Sequence, residues 1–80
     1  MVYFVYIIQS QKDKSNYTGV TTDIRRRIKE HNGGGSTYSS TKAPFILKWY
    51  CGFPSKKKAY DFEKYLKSHS GIAFRNKRLI

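Results

Sequence analysis

Val2-Tyr3-Phe4-Val5-Tyr6-Ile7-Ile8 contains only β-branched and aromatic residues, and an unbroken run of that kind reads as a strand buried on both faces. The polar residues 10–16 turn the chain, and Tyr17-Thr18-Gly19-Val20 resumes strand character, so the two runs pair as a hairpin. Phe45-Ile46-Leu47-Lys48-Trp49-Tyr50 supplies a third strand, with Pro44 at its entry.

Between and after these strands lie helix signals. Thr21-Thr22-Asp23 carries N-cap chemistry, residues 24–31 follow as a helix, and Asn32-Gly33-Gly34-Gly35 ends it, because glycine accepts the left-handed cap. Residues 36–43 read as a polar, mobile loop. Ser55 is placed to cap a second helix over residues 56–67, and a short helical tail over 72–79 begins near Gly71. The order β-β-α-β-α with a tail predicts an α+β sandwich: a three-stranded antiparallel sheet flanked by helices. Eighty residues make one domain, 1–80, since neither half of so short a chain would hold a core of its own.

Sixteen Lys and Arg stand against five Asp and Glu, a net charge of +11. A surface so basic attracts polyanions and resists self-association, which makes nucleic acid the first partner to consider and an anionic membrane the second. The longest apolar run, residues 2–8, is far too short to span a bilayer and follows Met1 without a charged leader, so a soluble cytoplasmic protein is expected. Cys51 is the only cysteine; it excludes an internal disulfide and suits an inert buried thiol. One cysteine with His31 and His69 cannot complete a zinc site. No phosphate-loop pattern exists, because Gly33-Gly34-Gly35 follows a helix instead of opening one.

Helical spacing singles out two charged residues. In the first helix Ile24 and Ile28 form the apolar stripe; at about 100° per residue, Arg25 and Arg26 point away from it, whereas Arg27 falls about 60° from Ile24 and His31 lies within the stripe. In the second helix Ala59, Phe62 and Leu66 form the stripe, and Glu63 lies about 60° from its middle. An arginine and a glutamate half-buried against one small sheet can form a structural salt bridge or flank a cleft for phosphate and metal. Spacing alone favours the salt bridge, since ion-pair networks also produce such pairs.

The order of short motifs adds a second line of reasoning. Phe4-Val5-Tyr6 is followed, ten residues later, by Tyr17-Thr18-Gly19, and the run Tyr-x-Gly-x3-Asp-x3-Arg-x3-His picks out Gly19, Asp23, Arg27 and His31. Ala59-x3-Glu63-x2-Leu66-Lys67 comes later, and residues 66–79 carry the pattern LKS-x-x-G-x-x-F-x-x-K-R-L. Nearly the whole chain thereby resembles the GIY-YIG nuclease family, with Phe4-Val5-Tyr6 standing for Gly-Ile-Tyr and Tyr17-Thr18-Gly19 for Tyr-Ile-Gly. It is most similar to short bacterial proteins made of this domain and little else. Phe4 departs from the family's first glycine, which alters backbone fit at the hairpin and removes no catalytic side chain.

The resemblance implies a metal-dependent endonuclease that hydrolyses DNA phosphodiesters, with RNA left open, in a repair or recombination setting. It implies one Mg²⁺ or Mn²⁺ ion held by Glu63, Arg27 clamping the scissile phosphate, and Tyr6 and Tyr17 orienting or deprotonating the attacking water. Tyr17 is the favoured base, and a phenol needs a nearby cation for that role. His31 orients a tyrosine, touches phosphate or is a satisfied core histidine. Gly19 admits a phosphate close to the backbone or marks a strand bulge. Lys42, Lys56, Lys57, Lys58 and Arg26 are the expected phosphate contacts, or else part of a solvated basic face, and Tyr38 either stacks on a base or packs on the fold. Low sequence specificity is expected, with a protein partner or substrate shape supplying selection. The alternative is a non-catalytic nucleic-acid-binding module on the same scaffold.

Overall fold

The computed structural model describes residues 1–33 and 42–80. Six elements follow in order: β1 (Tyr3–Ser10), β2 (Asn16–Thr21), α1 (Ile24–Gly33), β3 (Phe45–Phe53), α2 (Lys56–Leu66) and α3 (His69–Phe74), with a π-helical turn, Arg75–Leu79, at the end. The three strands form one antiparallel sheet in the order β2-β1-β3. This is the expected α+β architecture. Residues 36–41 of the anticipated loop, including Tyr38, lie outside the described residues.

The central strand serves two cores at once. Val5, Tyr6, Ile7 and Ile8 are all buried, and their side chains alternate across the sheet. Val5 and Ile7 pack with Ala59 and Leu66 of α2, joined by Trp49, Phe53 and Phe62. Tyr6 and Ile8 pack on the other face with Phe45, Tyr17 and Ile28 of α1. The two helices therefore sit on opposite faces of the sheet. Ser10 closes the end of β1: its hydroxyl donates to the Lys42 carbonyl at 2.6 Å and accepts from the Lys12 and Asp13 amides. In the β1–β2 turn Lys14 takes a left-handed backbone, φ 64°.

Several element ends differ from expectation, each for a local reason. α1 continues to Gly33; the Asn32 side chain does not stop the helix but clamps β3, bonding the Phe45 amide at 2.6 Å and its carbonyl at 3.2 Å. β3 runs on to Phe53 because Tyr3 and Phe4 of β1 remain to be paired, with Phe53 and Gly52. The β1–β3 register slips between Ile7 and Ile8, which face Trp49 and Leu47. Lys48 is skipped, and Leu47 comes to the α1 side of the sheet. Ser55 caps α2 as expected, accepting from the Lys58 amide. The tail helix starts at His69 instead of Ile72, because Ser68 caps it through the Gly71 amide at 3.2 Å. Gly71 is needed inside that helix, since a Cβ there would lie 1.7 Å from the Tyr65 carbonyl oxygen. Cys51 is half-buried, not sealed in the core. Among the described residues no helix is long and apolar enough to cross a membrane.

Candidate active site

β2 is an edge strand, and residues of α1 and α2 approach that edge from opposite faces of the sheet. There Tyr6, Tyr17, Gly19, Arg27, His31 and Glu63 line a single cleft of about 340 Å³. The expected catalytic and supporting residues are thus brought together from β1, β2, α1 and α2.

Strand register explains how a buried tyrosine reaches the edge. Tyr6 pairs directly with Gly19, and its ring passes over the position where Gly19 has no side chain. A Cβ on Gly19 would stand 2.5 Å from the phenol oxygen and 2.7 Å from Cζ. The strand irregularity expected as one option at Gly19 lies instead between Ile7 and Ile8. The space left by the glycine is filled by Tyr6, not held open for a phosphate.

Arg27 and His31, one turn apart on α1, both reach that phenol. Arg27 Nε donates to the Tyr6 hydroxyl at 3.4 Å, and His31 Nε2 lies 3.3 Å from the same oxygen. Arg27 is more exposed than its helical position suggested, with 47% of its side chain accessible, and its Nη1 also pairs with Glu30 at 3.4 Å. The hydrogen bond to Tyr6 pushes the Arg27 pKa up, opposed by desolvation and helped by Glu30. Burial pushes His31 down, and the Arg27 charge pushes it further, against a smaller opposing pull from Glu30. A histidine so placed is neutral at neutral pH. It can accept the phenol's proton while the phenol oxygen accepts from Arg27. His31 Nδ1 is buried with no partner among the described residues. Tyr17 packs edge-on against Phe45, ring centroids 5.4 Å apart, and Ser15 Oγ lies 3.4 Å from its hydroxyl.

Glu63 enters the cleft from α2 with 18% of its side chain exposed, its Oε2 3.3 Å from Lys67 Nζ. It makes no ion pair with Arg27, whose carboxylate partner is Glu30, so the structural salt bridge that spacing alone favoured is not formed. Lys67 and Tyr60 also line the cleft. Helical spacing held the signal for both, since they lie four residues after and three before Glu63 on one helix face.

The other expected nucleic-acid contacts lie outside this cleft. Lys42 pairs with Asp13, whose carboxyl is held well below the usual range by Lys42 and Ser15. Lys57 pairs with Asp61 and Lys56 sits over the Tyr60 ring, while Lys58 is exposed at the start of α2. Arg26 pairs with Glu30 and lines an adjoining hollow with Thr21, Asp23 and Arg27.

Among the described residues no three His, Cys, Asp or Glu side chains converge to hold a metal. Glu63 is the carboxylate of the cleft. A single carboxylate completed by waters and phosphate oxygens is a shell that Mg²⁺ accepts, so the donor set fits a hydrated Mg²⁺ or Mn²⁺ and does not fit zinc.

The β2-β1-β3 sheet carries at its edge a cleft that gathers two tyrosines, an arginine and a glutamate, and comparison with known proteins gives the class of the domain. The family described as GIY-YIG catalytic domain matches residues 2–77, and the chain belongs to that family. Its relatives include the UPF0213 protein BH0048 of Halalkalibacterium halodurans, 47% identical over 64 residues, covering 79% of this chain and 67% of that one. The UPF0213 protein SH2523 of Staphylococcus haemolyticus is 41% identical over 69 residues, 85% of this chain and 83% of its own. The solution NMR structure of UPF0213 protein BH0048 superposes with a TM-score of 0.60 at 37% identity, covering 99% of this chain and 87% of that chain.

Proposed function

We propose that the chain is a divalent-metal-dependent endonuclease that hydrolyses nucleic-acid phosphodiesters with low sequence specificity. The observation that carries this reading is the meeting of Arg27, Glu63, Tyr6 and Tyr17 in one open cleft, with no ion pair between Arg27 and Glu63. Arg27 Nε is engaged by Tyr6 and Nη1 by Glu30, which leaves Nη2 for the scissile phosphate, where a fixed donor favours the charge that develops. Glu63 would hold the ion, and releasing Lys67, whose side chain is 56% exposed, would cost about 1 kcal/mol. When bound, Mg²⁺ or Mn²⁺ supplies charge stabilisation to the leaving 3′-oxygen.

A water oxygen attacks phosphorus, the bond from phosphorus to the 3′-oxygen breaks, and the leaving oxygen takes a proton from solvent. The water's proton passes to a tyrosine. The hydrogen bonds favour Tyr6 for this step, whereas the sequence favoured Tyr17. As Tyr6 accepts the water's proton it can hand its own to neutral His31 Nε2, 3.3 Å away. Tyr17 then orients the water.

Branched, nicked, single-stranded and duplex DNA incubated with the protein in Mg²⁺ and Mn²⁺ tests the proposal. Cleavage lost in Glu63→Ala and Arg27→Ala is the expected result. Equal cutting by those variants would refute it. Binding without cutting, unaffected by Glu63→Ala, would assign a non-catalytic nucleic-acid module.

A further inference from the structure

On the α1 side of the sheet, α1 covers Tyr6, Ile8 and Phe45 and leaves the far end bare. There Phe4, Leu47 and Tyr50 line an open hollow of about 400 Å³ beside Ile24 and Arg25 at the start of α1. Tyr50 is 54% exposed and stands edge-on to Phe4, ring centroids 6.0 Å apart. The slipped β3 register is what brings Leu47 to this side.

The hollow continues into the candidate active site. Thr22 and Asp23 line both it and the hollow of Arg26, while Val20 and Arg27 line both that hollow and the catalytic cleft. A path from Glu63 to Tyr50 therefore passes Arg27, Arg26 and Arg25 in turn. Two carboxylates flank it, and both are engaged. Asp23 accepts from the Arg26 amide at 3.1 Å as the cap of α1, and Glu30 pairs with Arg26 and Arg27.

We infer that the Phe4–Leu47–Tyr50 hollow receives an unpaired nucleobase of the strand whose phosphate lies at Arg27. This rests on the phosphodiester reading above and names its substrate class: nucleic acid with unpaired nucleotides beside the scissile phosphate. The occupant follows from charge and shape together. A net +11 opposes a second copy of the chain, and three arginines lead a phosphate backbone to an apolar aromatic floor. Base stacking on exposed rings is how proteins hold single strands without reading sequence. A base kept in a duplex stack has no free face to offer, so fully paired DNA cannot use the hollow.

The experiment measures binding without metal, by the fluorescence of a short single-stranded oligodeoxynucleotide carrying 2-aminopurine, and of its perfect duplex. Tyr50→Ala is expected to weaken single-strand binding about five-fold or more, to leave duplex binding unchanged, and to abolish the quenching of 2-aminopurine. Tyr50→Phe keeps the ring and is expected to bind as the parent does, with thermal melts confirming that both variants fold. Equal losses on single strand and duplex, or no loss in Tyr50→Ala, would overturn the inference. Cleavage assays on the same variants separate this site from the catalytic proposal. If the parent cuts and Tyr50→Ala cuts single strands equally well, the base site is wrong and the nuclease stands. If the parent never cuts but ring-dependent single-strand binding is seen, the base site stands without the nuclease.

Discussion

Alanine in place of Gly19 would insert a methyl group where the Tyr6 ring crosses β2. The new Cβ would stand 2.5 Å from the phenol oxygen, 2.7 Å from Cζ and 3.0 Å from Cε1. Carbon contacts settle at about 3.5–4.0 Å, so the ring must move by roughly 1 Å. Tyr6 is 3% exposed and its ring is rigid, so the clash falls on the packing around it. Its hydroxyl contacts, 3.4 Å to Arg27 and 3.3 Å to His31, are already long, and such a shift breaks them. Overpacking costs about 1–3 kcal/mol, and removing a strand glycine returns about 0.5–1 kcal/mol. The net, about 0–2.5 kcal/mol, lowers Tm by up to roughly 20 °C for a domain of this size. Cleavage should suffer more, since a misplacement of about 1 Å costs on the order of a hundred-fold in rate. Single-turnover cleavage and thermal unfolding measure the two effects. In a Tyr6→Leu background all three contacts disappear, so Gly19→Ala should destabilise less and slow cleavage no further. If the alanine variant melts and cuts like the parent, or costs the same in both backgrounds, the phenol is not the reason for the glycine.

Glu63→Ala should abolish metal-dependent cleavage while moving the melting midpoint little, because its pair with the half-exposed Lys67 is worth about 0–1 kcal/mol. Gly71→Ala should destabilise by about 3 kcal/mol or more in urea unfolding, since its Cβ would overlap the Tyr65 carbonyl; a parent-like midpoint would show that α2 and α3 can separate freely. His31 has a folded pKa below its unfolded value of about 6.5. The unfolded chain therefore binds more protons between those two values, and stability falls as pH drops through about 6.5 and levels off below the folded pKa. His31→Gln should remove that part of the slope in melts from about pH 7.5 down to 5. Lys67 lines the cleft beside Glu63, where its ammonium can meet a phosphate, so Lys67→Ala should weaken nucleic-acid binding and reduce the slope of log K against log salt by about 1; an unchanged slope would show that Lys67 contacts no phosphate.

Much of this was legible in the residues. The all-apolar run of β1 reported a strand with two buried faces because both helices pack on it, one per face. Helical period marked Arg27 and Glu63 as unusual because angles on a single helix are local quantities. Relations between strands were not legible. That Tyr6 lies opposite Gly19 depends on hairpin register, and the slip that skips Lys48 depends on how β1 and β3 twist against each other. The Phe4–Leu47–Tyr50 hollow follows from that slip and from where α1 stops. The helical tail begins ahead of Gly71 because Ser68 as a cap outweighs Gly71 as a starting signal; the glycine answers a contact with Tyr65 that no local pattern records.

The buried stretch Val5–Ile8 also governs how the molecule comes apart. Because one strand supplies the floor for both helices, loosening it on either side removes the footing of the other, so heat should undo the sheet and both helices in one step. Far-UV dichroism and Trp49 fluorescence should then give superimposable melting curves. A groove whose guanidinium and carboxylate arise from separate helices would lose its geometry at that same temperature, with no partly folded form that still carries it.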